Sequence, residues 1–268
     1  MPNTPFRVFD NPESACVQVA AEIAHLIRER AAMGRPAVLG LITGETSIPL
    51  YEELIYLHRE EGLSFKNVIA FHSSEYLGLA ADHPLSFRSH MNRYLFDHVD
   101  ILRSNIHFPT ASGRQREITA QILRYDQEIK SVGGIDYQVL GITRNGNFAL
   151  NEAYSSIDSP TRCVHLNEVT REAAAHAFGG FDAVPKRAIT MGCRTLLAAN
   201  RITTLAWGAK KARIVRKAIT SSVTSAIGAS YLQTHPSARF ILDRQAASLL
   251  VPRLAKPKPM PMPMPNAR

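Results

Sequence analysis

The sequence predicts an α/β fold with a mostly parallel sheet covered by helices on both faces. Short apolar runs of strand length recur along the chain. Amphipathic stretches of helix length alternate with them, and tight turns such as T-G-E-T-S join the two. Strands alternating with helices in this way indicate parallel βαβ winding. The 268 residues suffice for one large core.

The first helix opens at Asn11, a side chain suited to capping, with Pro12 and Glu13 in its first turn. Val19, Ile23, Leu26 and Ile27 recur at helical spacing and face a core. P-A-V-L-G-L-I, bounded by Pro36 and Gly44, reads as a buried strand. Further strands are expected at Val68–His72, Tyr137–Ile142, Arg162–Leu166, Ala188–Gly192, Thr203–Gly208 and Arg239–Asp243. Helices are expected at Pro49–Glu61, Leu85–Leu95, Gln115–Ser131, Val169–Ala177, Lys210–Ile219 and Ser222–Gln233. Residues 1–254 read as a single domain. The stretch 255–268, A-K-P-K-P-M-P-M-P-M-P-N-A-R, alternates proline with Lys or Met and reads as a disordered tail.

No apolar run approaches the roughly 18–20 residues of a membrane span. The first residues lack the basic-then-apolar pattern of a signal peptide. Cys16, Cys163 and Cys193 are scattered and form no C-x-x-C pair, so no metal, cofactor or disulfide framework is signalled. A cytoplasmic protein with reduced thiols is expected. The net charge is +8, and no acidic residue lies between Asp182 and Asp243. Lys186, Arg187, Arg194, Arg201, Lys210, Lys211, Arg213, Arg216, Lys217 and Arg239 all fall in that interval. Such a field attracts anions, unless these residues form only a solvated face. Aromatic residues are scarce there, which argues against single-stranded nucleic acid.

Ligands of such sheets bind beyond the carboxyl ends of the strands. The first such loop is T-G-E-T-S, Thr43 to Ser47. Gly44 permits a tight turn, and Thr46 and Ser47 offer hydroxyls where a helix begins, a natural seat for phosphate. Glu45 would oppose an anion if it pointed inward. The next strand is followed by F-H-S-S-E-Y, Phe71 to Tyr76, which opens into the loop S-S-E-Y-L-G-L. G-I-T-R-N-G-N-F-A-L-N-E spans Gly141 to Glu152, and T-R, M-G-C-R-T and W-G-A-K-K follow in order.

This set of segments resembles the glucosamine-6-phosphate deaminase family. L-S-F-K-N-V-I-A-F resembles the family's S-F-K-x-V-x-x-F, and H-P-L-S-F-R-S-H-M resembles its H-P-x-S-Y-x-x-F-M. L-F-D-H-V-D-I, V-P-K-R-A-I-T-M-G and Y-L-Q-T-H-P fit as well, from about Phe6 to about Leu250. The resemblance implies a modified Rossmann-like three-layer fold, a phosphorylated-sugar site and often a homo-oligomer. It implies an enediol isomerisation that releases ammonia. It also places Arg171, Lys211 and the loop hydroxyl of Thr46 or Ser47 on the phosphate. Arg162 resembles an arginine that some members use at an allosteric phosphate site.

The catalytic positions depart from the family pattern. The aspartate of D-E-Y, which moves the proton between C2 and C1, is replaced by Ser74, with Glu75 and Tyr76 kept. The aspartate and histidine of N-D-G-H become Asn145 and Asn147, while the downstream glutamate remains as Glu152. M-G-C-R-T puts Arg194 where the family has a small residue. Serine is a poor base without an activating partner, and asparagine does not titrate. His72, two residues before Ser74 and on the same side of an extended chain, is a possible substitute base. Otherwise it is a hydrogen-bonded strand-end histidine. Glu75 and Glu152 read as structural residues bonding loop backbone. The expectation is a sugar-phosphate-binding homologue deficient in the parent chemistry. The alternatives are an isomerase, deaminase or hydrolase acting on another phosphorylated sugar, and a sugar-phosphate-responsive regulatory module.

Overall fold

The computed structural model describes residues 4–110 and 113–250, and the tail at 255–268 lies outside them. In chain order the elements are β1 (Phe6–Phe9), α1 (Pro12–Ala32), β2 (Ala37–Leu41), α2 (Ile48–Glu61), β3 (Val68–His72) and β4 (Ser74–Tyr76). There follow α3 (Phe87–Met91), β5 (Ile106–His107), α4 (Gln115–Ser131), β6 (Tyr137–Gly141), β7 (Arg162–His165) and α5 (Glu168–Ala175). The last are β8 (Arg187–Thr190), α6 (Cys193–Leu197), β9 (Arg201–Ala206), α7 (Ala209–Thr220) and β10 (Ala238–Asp243).

Seven strands form one sheet in the order β1-β10-β9-β6-β2-β3-β5, and every pairing in it is parallel. All of β2 is buried, as is β6 up to Gly141. Strands covered on both faces need continuous apolar runs, which is why A-V-L-G-L was recognisable. Each fully buried Leu, Ile or Phe here stabilises the fold by about 1.5–3 kcal/mol relative to exposure. Gly40 of β2 is fixed by packing, because a Cβ there would sit 2.0 Å from Oε1 of Gln138 on β6.

The first helix forms as expected. The Asn11 side chain accepts the Ser14 N–H at 2.8 Å, and Ala15, Cys16, Val19, Ala20, Ile23, Ala24 and Ile27 are its buried face. On α7 the buried face is Ala212, Ile214, Val215, Ala218 and Ile219, while Lys210, Arg213, Arg216 and Lys217 are exposed. No helix among the described residues is long and apolar enough to cross a membrane.

Several expectations are corrected. Arg162–Leu166 and Ala188–Gly192 do not enter the parallel sheet. Their ordered parts, β7 and β8, join β4 in a separate antiparallel sheet of order β4-β8-β7. The stretch S-E-Y, read as loop, is therefore a strand. The helix expected over Leu85–Leu95 is one short helix followed by a wide π turn at Asn92–Phe96. No α-helix spans Ser222–Gln233. The Ser230 hydroxyl donates to the Thr224 carbonyl and accepts the Thr224 N–H, leaving a 3₁₀ turn over Gly228–Thr234. Side-chain bonds of this kind compete with the helical ladder.

Strand order reverses at β2: the chain runs outward to β3 on one side and later returns to β6 on the other. Such a switch point opens a crevice beyond the carboxyl ends of the two strands. The loops after β2 and β6 border it.

Candidate functional site

A cavity of about 270 Å³ lies in that crevice. From the β2 end come Ile42, Thr43 and Thr46, and from the β3 end His72, Ser73 and Ser74. From the β6 end come Gly141, Ile142, Thr143, Ala149 and Leu150, with Phe87 of α3 and Lys211 of α7 completing the wall. A second, outer cleft of about 560 Å³ is lined by Arg144, Asn145, Thr170 and Glu172, and Thr143 and Lys211 border both.

The loop after β2 turns at Gly44, whose φ of 116° and ψ of 160° suit glycine. Residues Glu45–Ser47 then make a 3₁₀ turn that runs into α2. The Ser47 hydroxyl points inward and donates to the Gly44 carbonyl at 2.9 Å, so it does not reach the cavity. Trp207 Nε1 donates to the Thr46 carbonyl at 2.9 Å and pins the loop. Glu45 is exposed and lines neither space, and so is Arg194. Neither obstructs the cavity.

Lys211 stands in the first turn of α7, behind Gly208, whose N–H donates to both Asp243 carboxylate oxygens at 3.0 Å. Its Nζ donates to the Ile142 carbonyl at 2.5 Å. Burial, and then the neighbouring Arg144 charge, push its pKa below the ordinary lysine value.

Ser74 pairs across the small sheet with Thr190, and their hydroxyls are 3.0 Å apart. Thr190 Oγ1 also accepts the Leu150 N–H at 3.2 Å, joining this pair to the β6 loop. His72 is 3% exposed, with its ring stacked on Phe108 at 4.9 Å between centroids. Its Nδ1 lies 2.6 Å from the Ser74 carbonyl oxygen and 3.2 Å from the Ser74 backbone nitrogen, and the shorter contact assigns the proton to Nδ1. Nε2 is left as a buried acceptor without a partner. Burial holds its pKa down to about 3, so the ring is neutral. Glu75 is buried and turned from the cavity, accepting the N–H groups of Tyr76, Phe87 and Arg88 at 2.9–3.0 Å. Two of these open α3, where a carboxylate suits the helix dipole. Burial raises the Glu75 pKa.

Asn147 is buried behind the β6 loop and donates through Nδ2 to Glu152 at 2.9 Å, leaving Oδ1 unpartnered. Glu152 also accepts from Asn167 Nδ2 and Thr170 Oγ1, both at 2.7 Å. Asn145 is exposed in the outer cleft. Arg171 borders neither space. Its guanidinium lies 3.9 Å from the centre of the Phe181 ring and donates to the Phe181 carbonyl at 2.9 Å. Arg162 donates to Asn151 Oδ1 at 2.8 Å and Ser155 Oγ at 2.9 Å, bracing the same loop.

The structure thus brings Thr43, Thr46, His72, Ser74 and Lys211 to one cavity, with Gly44 at its edge. Asn145, Asn147, Glu152, Arg171 and Ser47 stand outside it. Sequence reasoning did not anticipate Phe87, Ala149 or Leu150 in the wall. Ala149 holds a left-handed φ of 50°, a conformation costing an alanine about 1–2 kcal/mol.

Residues 10–242 match the sequence profile of the family described as glucosamine-6-phosphate isomerases/6-phosphogluconolactonase. The chain belongs to this family. A glucosamine-6-phosphate deaminase of Geobacillus sp. (strain WCH70) is 44% identical over 214 residues, covering 80% of this chain and 84% of that one. Glucosamine-6-phosphate deaminase 1 of Bacillus subtilis (strain 168) is 42% identical over 233 residues, covering 87% and 94%. A solved glucosamine-6-phosphate deaminase described as monomeric superposes with a TM-score of 0.86 at 39% identity, over 91% of this chain and 99% of that one. The 6-phosphogluconolactonase from Trypanosoma cruzi superposes at 0.72 with 18% identity, over 93% and 97%, a likeness of fold alone. The modified Rossmann-like architecture is that of the glucosamine-6-phosphate isomerase family.

Proposed function

We propose that this family member binds a phosphorylated sugar in the β2–β6 crevice and lacks the isomerisation and deamination chemistry of its deaminase relatives. The observation that carries this reading is the cavity wall: among the described residues its titratable side chains are His72 and Lys211, and no carboxylate lines it. Moving a proton beside a carbonyl needs a base tuned near the working pH, and losing one costs about 10²–10⁴ in rate. Ser74 stands at the relevant strand end with its hydroxyl against Thr190. Asn147 occupies the place that the family pattern gives to histidine.

The phosphate seat in this reading is the Thr43–Thr46 loop, with its backbone N–H groups at a helix entrance, together with Lys211 of the same cavity wall. Arg171, held on Phe181, is not part of it in this conformation. The test is a coupled ammonia-release assay with glucosamine 6-phosphate, beside a direct binding measurement. Binding without turnover is expected. Turnover in the ordinary enzyme range of about 1–10³ s⁻¹ would refute the loss of chemistry.

One observation favours a second reading, an isomerase or hydrolase acting on another phosphorylated sugar. His72 lines the cavity with an unpartnered Nε2. Against it, a ring whose pKa is held near 3 is a weak proton acceptor. A phosphosugar screen repeated with His72→Ala separates the two: activity abolished by that change supports the second.

A further inference from the structure

The charges around the cavity bear on which sugar it takes, an inference that rests on the sugar-phosphate reading above. Lys211 supplies a cation to the wall, and the Arg144 charge lies close enough to lower its pKa further. The strand-end part of the wall is uncharged: His72 is held neutral by burial, and Ser73 and Ser74 stand beside it. The carboxylates of the adjoining segments are engaged elsewhere. Glu75 is occupied by the Tyr76, Phe87 and Arg88 N–H groups, and Glu152 by Asn147, Asn167 and Thr170. Glu172 borders only the outer cleft, and Glu45 is exposed outside both spaces. Among the described residues a cation entering the cavity therefore meets no carboxylate in its wall, and desolvating a charge without a direct partner is costly. A neutral hydroxyl meets no such penalty. It also supplies what His72 Nε2 lacks, a donor for a buried acceptor.

We propose that the cavity selects phosphorylated sugars whose substituents are uncharged over those bearing an ammonium group, with His72 Nε2 accepting a hydrogen bond from a sugar hydroxyl. His72 is then a specificity-determining residue of the site. Its orientation is set by the Nδ1–Ser74 carbonyl bond and by stacking on Phe108. Nε2 itself is closed off in the unliganded fold, so a hydroxyl reaches it only with a local shift of the wall around it.

The sharpest probe is a pair that differs in one group, glucose 6-phosphate and glucosamine 6-phosphate, titrated calorimetrically at pH 7 with inorganic phosphate as reference. Glucose 6-phosphate should bind tighter than its amino counterpart by about tenfold or more. His72→Phe, which keeps the stacking and removes the acceptor, should weaken glucose 6-phosphate about tenfold and leave inorganic phosphate unchanged. Equal or tighter binding of glucosamine 6-phosphate by the natural chain overturns the selectivity and leaves sugar-phosphate binding standing. Binding of neither sugar removes both. Unchanged glucose 6-phosphate affinity in a folded His72→Phe chain overturns the role given to His72. The wild-type comparison decides the selectivity even if that variant does not fold.

Discussion

The Asn147 amide donates to the Glu152 carboxylate at 2.9 Å, and the same carboxylate holds Asn167 and Thr170 at 2.7 Å. One side chain thus ties the loop after β6 to the start of α5. The task of this carboxylate in the fold is cohesion. Glu152→Ala removes a carboxylate acceptor from three side-chain donors, and the expected loss of stability is about 2 kcal/mol. Hydrogen exchange should speed up chiefly in α5 and the β6 loop. Exchange that rises uniformly across the sheet, or not at all, would contradict a local tie.

Lys211 and Arg171 should part company on mutation. Lys211 borders the cavity, so Lys211→Met should weaken sugar-phosphate binding about 10- to 100-fold. Arg171→Ala should change affinity far less and instead loosen the segment around Phe181, on which it stacks. The lowered Lys211 pKa gives a sign for pH as well. A dianionic ester needs the charged ammonium, so affinity falls as pH rises through a pKa below the usual lysine range. Isotherms across alkaline pH check this. A midpoint at or above the ordinary lysine value, or equal losses in the two variants, would count against the seat described.

Legibility divided along physical lines. Val68–His72 was readable as a short apolar run, and Gln115–Ser131 because it buries one face at helical spacing. Ser74–Tyr76 was not, since three residues form a strand only by pairing with β8, more than a hundred positions on. Residues at strand ends, such as Thr43 and Ser74, were placed at the cavity by the general rule for parallel sheets. Side-chain direction lay beyond that rule. Thr46 faces the cavity, and Ser47, next to it, turns its hydroxyl to Gly44. Phe87 carried no signal because α3 is held at the site by contacts made in the fold, the Glu75 bonds to its first turn and the Phe87 ring against His72 and Tyr76.

Acid should expose the buried histidine. The His72 pKa falls from 6.5 to about 3 on folding, so the unfolded chain takes up a proton that the folded chain refuses. This group's stabilisation is complete above about pH 6.5 and declines toward pH 3, by at most about 1.4 kcal/mol per pH unit. Glu75, whose pKa burial raises, has the opposite sign. The difference between the natural chain and His72→Gln isolates the histidine. Urea unfolding from pH 7 to pH 4 should show a shallower acid slope in the variant, and equal slopes would mean that His72 is protonated in the fold.

A carboxylate placed at position 74 changes the charge of the cavity wall directly. Ser74→Asp sets an acid beside Thr190 at a position only 2% exposed. Burial of a larger, ionisable group should destabilise the chain by about 1–3 kcal/mol. The same carboxylate supplies the counter-charge that the wall lacks, so the preference between glucose 6-phosphate and glucosamine 6-phosphate should shrink or reverse. Asn147→His added to it returns a titratable ring beside Glu152, whose carboxylate already accepts from that position. Ammonia release from glucosamine 6-phosphate should then become measurable above the single variant, since an acid–base group contributes about 10²–10⁴ in rate. If Ser74→Asp leaves the preference untouched while the chain stays folded, the charge deficit is not what excludes the ammonium group.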